Sequence, residues 1–177
     1  MKNVTKILFV VCATLSFLAV SQEAKAAAIP APTYSVQNLA TQLATPEEIA
    51  RFIFRHFSVE SDQQQFGKEE FWQTPEELLS NGKGDCEDFA FFANSVLKAN
   101  GVSSFLVNVY GKKFAHTLCV FQENGSFHVI DGDEVKRYEA KSLEELFSMI
   151  YHHWESAQLV TYSSENKNGR VLKTFRK

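Results

Sequence analysis

The chain has 177 residues, with 18 Lys and Arg against 21 Asp and Glu. Without the first 26 residues, 15 basic and 20 acidic side chains remain, formally −5, which argues against a nucleic-acid partner. About 150 residues then remain, enough to bury one real core and too few for a second domain.

Lys2 and Lys6 precede an apolar run over residues 7–20, and "SQEAKAAA" follows it. This is the pattern of a secretory signal peptide, with Ala24-Lys25-Ala26 as the small-x-small cleavage site. Residues 1–26 are therefore expected to be removed, leaving 27–177 as a single domain with no stable membrane insertion. The alternative is an uncleaved anchor, but the apolar run is shorter than the roughly 20 residues a bilayer requires. Cys12 has apolar sequence on both sides and does not resemble a lipid-attachment site. After cleavage only Cys86 and Cys119 remain, too few for a disulfide framework, so at least one free thiol is expected.

Residues 27–35, "AAIPAPTYS", read as an extended lead-in. Thr45-Pro46-Glu47-Glu48 is a capping box with Pro at the first helical position, and apolar residues at helical spacing predict a helix over 46–57. The polar stretch "SVESDQQQFGKEE" reads as a surface loop. Thr74-Pro75-Glu76-Glu77 repeats the start signal for a short helix ending by Gly82. Asp85 then caps a helix over 86–98, closed by Asn100-Gly101. Cys86, Phe89, Ala90, Ala93 and Leu97 recur along one stripe, so the thiol heads the face turned to the core.

Three β-rich runs, 104–110, 114–121 and 126–132, are separated by "GKK" and "QENG". A helix over 143–154 and a closing hairpin around Asn168-Gly169 complete the chain. Helices first and a strand meander second predict an α+β fold, with the cysteine-bearing helix packed on an antiparallel sheet.

The hairpin at Asn124-Gly125 permits a sharper inference, because opposed residues keep a constant sum of numbers. A sum of 249 makes His116 and Asp131 diagonal neighbours on one face; a slip to 247 makes them direct partners. His128 has the opposite parity to Asp131 and faces the other side, as Cys119 does relative to His116. An imidazole beside a carboxylate, with a helix-start thiol packed against the same sheet, is the arrangement of a cysteine nucleophile. His116 would take the thiol proton and Asp131 would orient the ring; Asp133 could replace Asp131 in the 249 register. The helix N-terminus is expected to offset the penalty that Asp85, Glu87 and Asp88 place on the thiolate. His152-His153-Trp154 does not read as a metal site, since adjacent helical positions point about 100° apart.

The stretch "FWQTPEELLSNGKGDCEDFAFFANSVLKANGV", followed by "AHTLCVF" and "FHVIDG", resembles the transglutaminase-like superfamily of cysteine enzymes, in its bacterial periplasmic cysteine protease branch, the LapG type. The resemblance covers about residues 71–132. It implies a papain/transglutaminase-like core with Cys86 as nucleophile, His116 as base, Asp131 as orienting acid and Trp72 in the substrate or oxyanion region. It also implies a Ca²⁺ ion beside the cysteine, with Asp85 and Glu87 as its ligands. The expected function is an exported cysteine protease, periplasmic or secreted, acting on a protein or peptide through a thioester. The alternatives are an acyl transferase on the same triad, or an inactive transglutaminase-like binding module.

Overall fold

A computed structural model describes residues 35–163 and 166–177. The expected signal peptide, its cleavage point and nearly all of the lead-in lie outside the described residues. Ser35 accepts the Asn38 amide and starts α1 (Val36–Ala40). At α2 (Pro46–His56), Thr45 and Glu48 exchange both bonds of the capping box, at 3.0 and 3.2 Å. Ile49, Ala50 and Ile53 bury its inner face.

The polar segment expected as a surface loop is instead structured. It forms β1 (Ser58–Val59), which pairs in parallel with β2 (Lys83–Gly84), and α3 (Asp62–Phe66). The cause is Asp62, only 2% exposed, whose carboxylate accepts the Phe71 amide and draws the polar chain inward. Thr74 and Glu77 cap α4 (Pro75–Asn81), which ends at Gly82 in the left-handed region, φ 71°.

Next comes α5 (Cys86–Ala99), the central helix. Phe89, Phe92, Ala93, Val96 and Leu97 are all buried, as is Phe91, so the helix is enclosed on most of its circumference. Gly84 allows this entry: a Cβ there would lie 2.6 Å from Asp88 Oδ2 and 2.9 Å from Leu78 Cδ1. No side chain fits between α4 and the first turn of α5.

The second half is β3 (Ser104–Gly111), β4 (Phe114–Glu123), β5 (Ser126–Asp131), β6 (Glu134–Ala140), α6 (Leu143–Ile150), β7 (Trp154–Ser163) and β8 (Asn166–Arg176). The six strands form one antiparallel sheet in the order β6-β5-β4-β3-β7-β8. Asn124 and Gly125 both have positive φ, 51° and 75°, as a tight hairpin requires. The register that results is the 249 sum, from Cys119 opposite Ile130 to Glu123 opposite Ser126. The helix expected over 143–154 stops at Ile150, because Tyr151 turns extended and Trp154 already pairs with Gly111 as the start of β7. No strand signal in the sequence marks β6, an edge strand exposed at Glu134, Arg137 and Glu139.

Two cores flank the sheet. On one face α1, α2, α4 and α5 pack against Leu106, Cys119, Phe121 and Ile130. On the other, Leu146 and Phe147 of α6 pack with Val107, Leu118, Val120 and Val129.

Candidate active site

Cys86 is the first residue of α5, with Asp85 at the N-cap and Asp88 reaching back to accept the Asp85 amide at 3.3 Å. Asp88 is itself fixed by the Gln73 backbone and side-chain amides, at 2.8 and 2.6 Å. The polar groups ahead of α5 thus set where the sulfur sits. His116 lies near the start of β4 and Asp131 ends β5. His116 Nε2 and Asp131 Oδ1 are 2.6 Å apart, the diagonal pairing of the 249 register. Among the described residues His116 has no hydrogen bond to Asp133, which lines a neighbouring cavity. With Nε2 engaged by Asp131, Nδ1 is the ring nitrogen left to serve the thiol.

The second oxygen of Asp131 accepts Lys136 Nζ at 2.7 Å, from β6. Burial opposes ionisation of Asp131, but the bonds from His116 and Lys136 outweigh it and hold the carboxyl at about 2. Cys86 and His116 line the same two cavities, and the Thr117 amide faces the sulfur. Strand alternation sets His116 and Asp131 in step with Leu118, Val120 and Val129, but at these strand ends both line one cavity with Cys86 and Phe89 of α5.

The electrostatics differ from expectation. Burial pushes the Cys86 thiol up to about 12, and the Glu87 charge adds to this; the Thr117 amide offsets only part. The thiol donates to Glu87 Oε2 at 3.2 Å. Burial, more than the acidic neighbours, is what opposes the thiolate. Glu87 is itself driven upward by burial and by Asp85 beside it. Asp88 is raised to about 7 by burial, against the bonds from Gln73.

The acidic cluster is larger than the sequence indicated. Ligand oxygens of Asp62, Asp85 and Asp88 converge within 4.8 Å of one another, and so do those of Asp62, Glu70 and Glu87. Asp62 Oδ1 and Asp85 Oδ1 are buried with no hydrogen-bond partner, and no ion pair among the described residues involves either residue. Unpartnered buried carboxylate oxygens converging on one point fit a hard, oxygen-seeking cation. Asp85 and Glu87 were legible as acidic flanks of the cysteine. Asp62 was not, because only the fold brings residue 62 to residue 85.

Trp72 is buried, stacks on Tyr162 with ring centroids 3.4 Å apart, and lines the larger cavity together with Cys86. Tyr162 had no signal in the sequence, and neither did Lys136. Cys119 is fully buried and forms no disulfide, as expected of a core residue. His128 is buried on the α5 face against Phe121, where its Nδ1 accepts the Tyr138 amide at 3.1 Å. His152 and His153 are exposed and fall in the turn before β7.

A cysteine at a helix start, ahead of an antiparallel sheet that carries a His–Asp pair, defines a class of fold. The family model for a transglutaminase-like domain matches residues 15–151, and the chain belongs to that family. Among solved structures, calcium-bound LapG of Legionella pneumophila is 18% identical with a TM-score of 0.50, covering 80% of this chain and 76% of LapG. A second LapG structure is 22% identical over 60% of this chain and 78% of LapG, with a TM-score of 0.46. The UPF0252 protein of Archaeoglobus fulgidus is 36% identical over 61 residues, 33% of this chain and 20% of that protein's length. The α+β fold with a transglutaminase-like core is thereby established.

Proposed function

We propose that residues 27–177 form an exported cysteine protease domain in which Cys86, His116 and Asp131 act as a catalytic triad. The observation that carries this reading is the 2.6 Å His116–Asp131 bond on strands whose ends meet the start of α5. Asp131 fixes the ring with Nδ1 free, and His116 takes the Cys86 proton. The sulfur bonds to the substrate carbonyl carbon, the C–N bond breaks, and His116 returns the proton to the leaving amine. Water then attacks the thioester, giving the acid and the free thiol. The backbone amides at the start of α5, with the Trp72 side of the cavity, would receive the oxyanion. A signal peptide at 1–26 would deliver this domain to the periplasm, or beyond the cell.

A Ca²⁺ ion would be held by Asp62 with Asp85 and Asp88, or by Asp62 with Glu70 and Glu87, the two carboxylate groups that share Asp62; the matched LapG structure is itself calcium-bound. Such an ion would neutralise the charge that now opposes the thiolate. It would also stabilise the fold, by about 2.7 kcal/mol at 100-fold excess over its dissociation constant.

A second reading is favoured by one observation, the half-buried Cys86 thiol donating to the Glu87 carboxylate: a transglutaminase-like binding module with no turnover. Alkylation of Cys86 by iodoacetamide across pH, with and without Ca²⁺, separates the two. The protease reading expects rapid labelling near neutral pH that drops at least tenfold in His116→Ala. Labelling that follows an ordinary thiol or slower, and is indifferent to His116 under both conditions, would leave the binding module. Asp62→Asn should abolish any rise in melting temperature caused by Ca²⁺.

A further inference from the structure

The cleft at Cys86 and His116 has two unlike chambers. One, of about 640 Å³, is lined by polar groups including Lys68, Glu70, Asn108 and Thr117 as well as Trp72. Its neighbour, of about 370 Å³, is walled by Ile53, Phe54, Phe57, Val59 and Phe89, with acidic groups at its rim. Both open on the sulfur and the imidazole, so a polypeptide lying across the nucleophile would place flanking residues in different environments.

Two features of the apolar chamber point to a ligand. Phe54 and Val59 are 70% and 82% exposed, two of the five large hydrophobic residues exposed among those described, and both border this one cavity. An outward Phe on α2 contributes little to the core, whose contacts come from Ile49 and Ile53. The floor, by contrast, is fixed: Phe57 stacks on Phe89 at 6.0 Å and meets Phe92 edge-on at 5.2 Å. A rigid apolar floor with exposed apolar walls is a preformed binding pocket that gains by being covered. At the lower end of the volume range for ligand pockets it suits one bulky side chain, not a folded partner.

We propose that the chamber walled by Phe54, Val59 and Phe57 is a specificity pocket that takes a bulky apolar side chain of the substrate beside the scissile bond. This rests on the protease reading for its location and on the pocket's own chemistry for its occupant. Discrimination between an apolar side chain and a small polar one in such a pocket is expected at tenfold or more.

The test uses Cys86→Ser protein, which cannot turn over, titrated by NMR with two capped tetrapeptides, acetyl-Ala-Leu-Ala-Ala amide and acetyl-Ala-Ser-Ala-Ala amide. The expected result is at least tenfold tighter binding of the Leu peptide, with shifts concentrated at the amides of Phe54, Phe57, Val59 and Phe89. Phe54→Ser and Val59→Ser should each bring the Leu-to-Ser ratio toward one, while Met149→Ser, exposed on α6, should leave it unchanged. Both wall residues are exposed, so neither substitution removes core packing. Equal binding of the two peptides, no binding of either, or a Leu preference untouched by both wall substitutions would overturn the proposal. Failure of the protease reading shows separately, as alkylation of Cys86 indifferent to His116.

Discussion

Asp131 serves two partners at once, and its chemistry can be titrated. Its carboxyl is held at about 2, against an ordinary value of 3.8. A depressed acid contributes stability that is fully present above the unfolded value and is lost as pH falls toward the folded one. That window runs from about pH 4 down to 2. Asp131→Asn should therefore cost about 2 kcal/mol in urea unfolding at pH 7 and flatten the acid limb of the stability curve; an unchanged acid limb would show that the two bonds do not operate in solution. The juxtaposition of His116 with Asp131 was legible from the sequence because Asn124-Gly125 fixes the turn, and the turn fixes every pair beyond it. The rival Asp133 was separable only once the strand ended at Asp131. That the thiol faces the core was legible from the apolar stripe it heads, but the depth of its burial was not, since no local pattern reports how fully α5 is enclosed.

The turn from α4 into α5 decides where the sulfur sits, and it has no room to spare. Gly84→Ala would press a methyl against Asp88 and Leu78, costing about 1–3 kcal/mol and lowering the melting temperature. Because Asp88 caps α5 at Asp85, the same substitution should also slow Cys86 alkylation, which thermal unfolding and labelling would measure side by side. Helix starts were legible wherever Ser or Thr stood three residues before Glu, at Thr45, Thr74 and Ser142. The end of α6 was not, because helical spacing continues past Ile150 while pairing with β3 takes Trp154 into the sheet. The short elements β1 and α3 escaped notice for a related reason: their stability comes from Gly82, Gly84 and Phe71, all distant in sequence.

At the scale of the molecule, α5 is the joint between the helical layer and the sheet. Phe92 is fully buried there, against Phe52 and Phe57. Phe92→Ala should cost about 3–5 kcal/mol by chemical denaturation, and a loss below 1 kcal/mol would mean the two layers are held together elsewhere. The order of helices then strands made the α+β class legible, whereas which strand ends meet the thiol depends on how six strands twist and stack. Cys86 and Cys119, both free thiols, carry a last consequence, one of redox chemistry. Cys119 is sealed beneath α5 with no exposed surface, while Cys86 opens on a cavity. Once Cys86 is oxidised to the sulfenic acid, the described chain offers it no accessible resolving thiol; recovery must come from an external reductant, and further oxidation is a one-way loss.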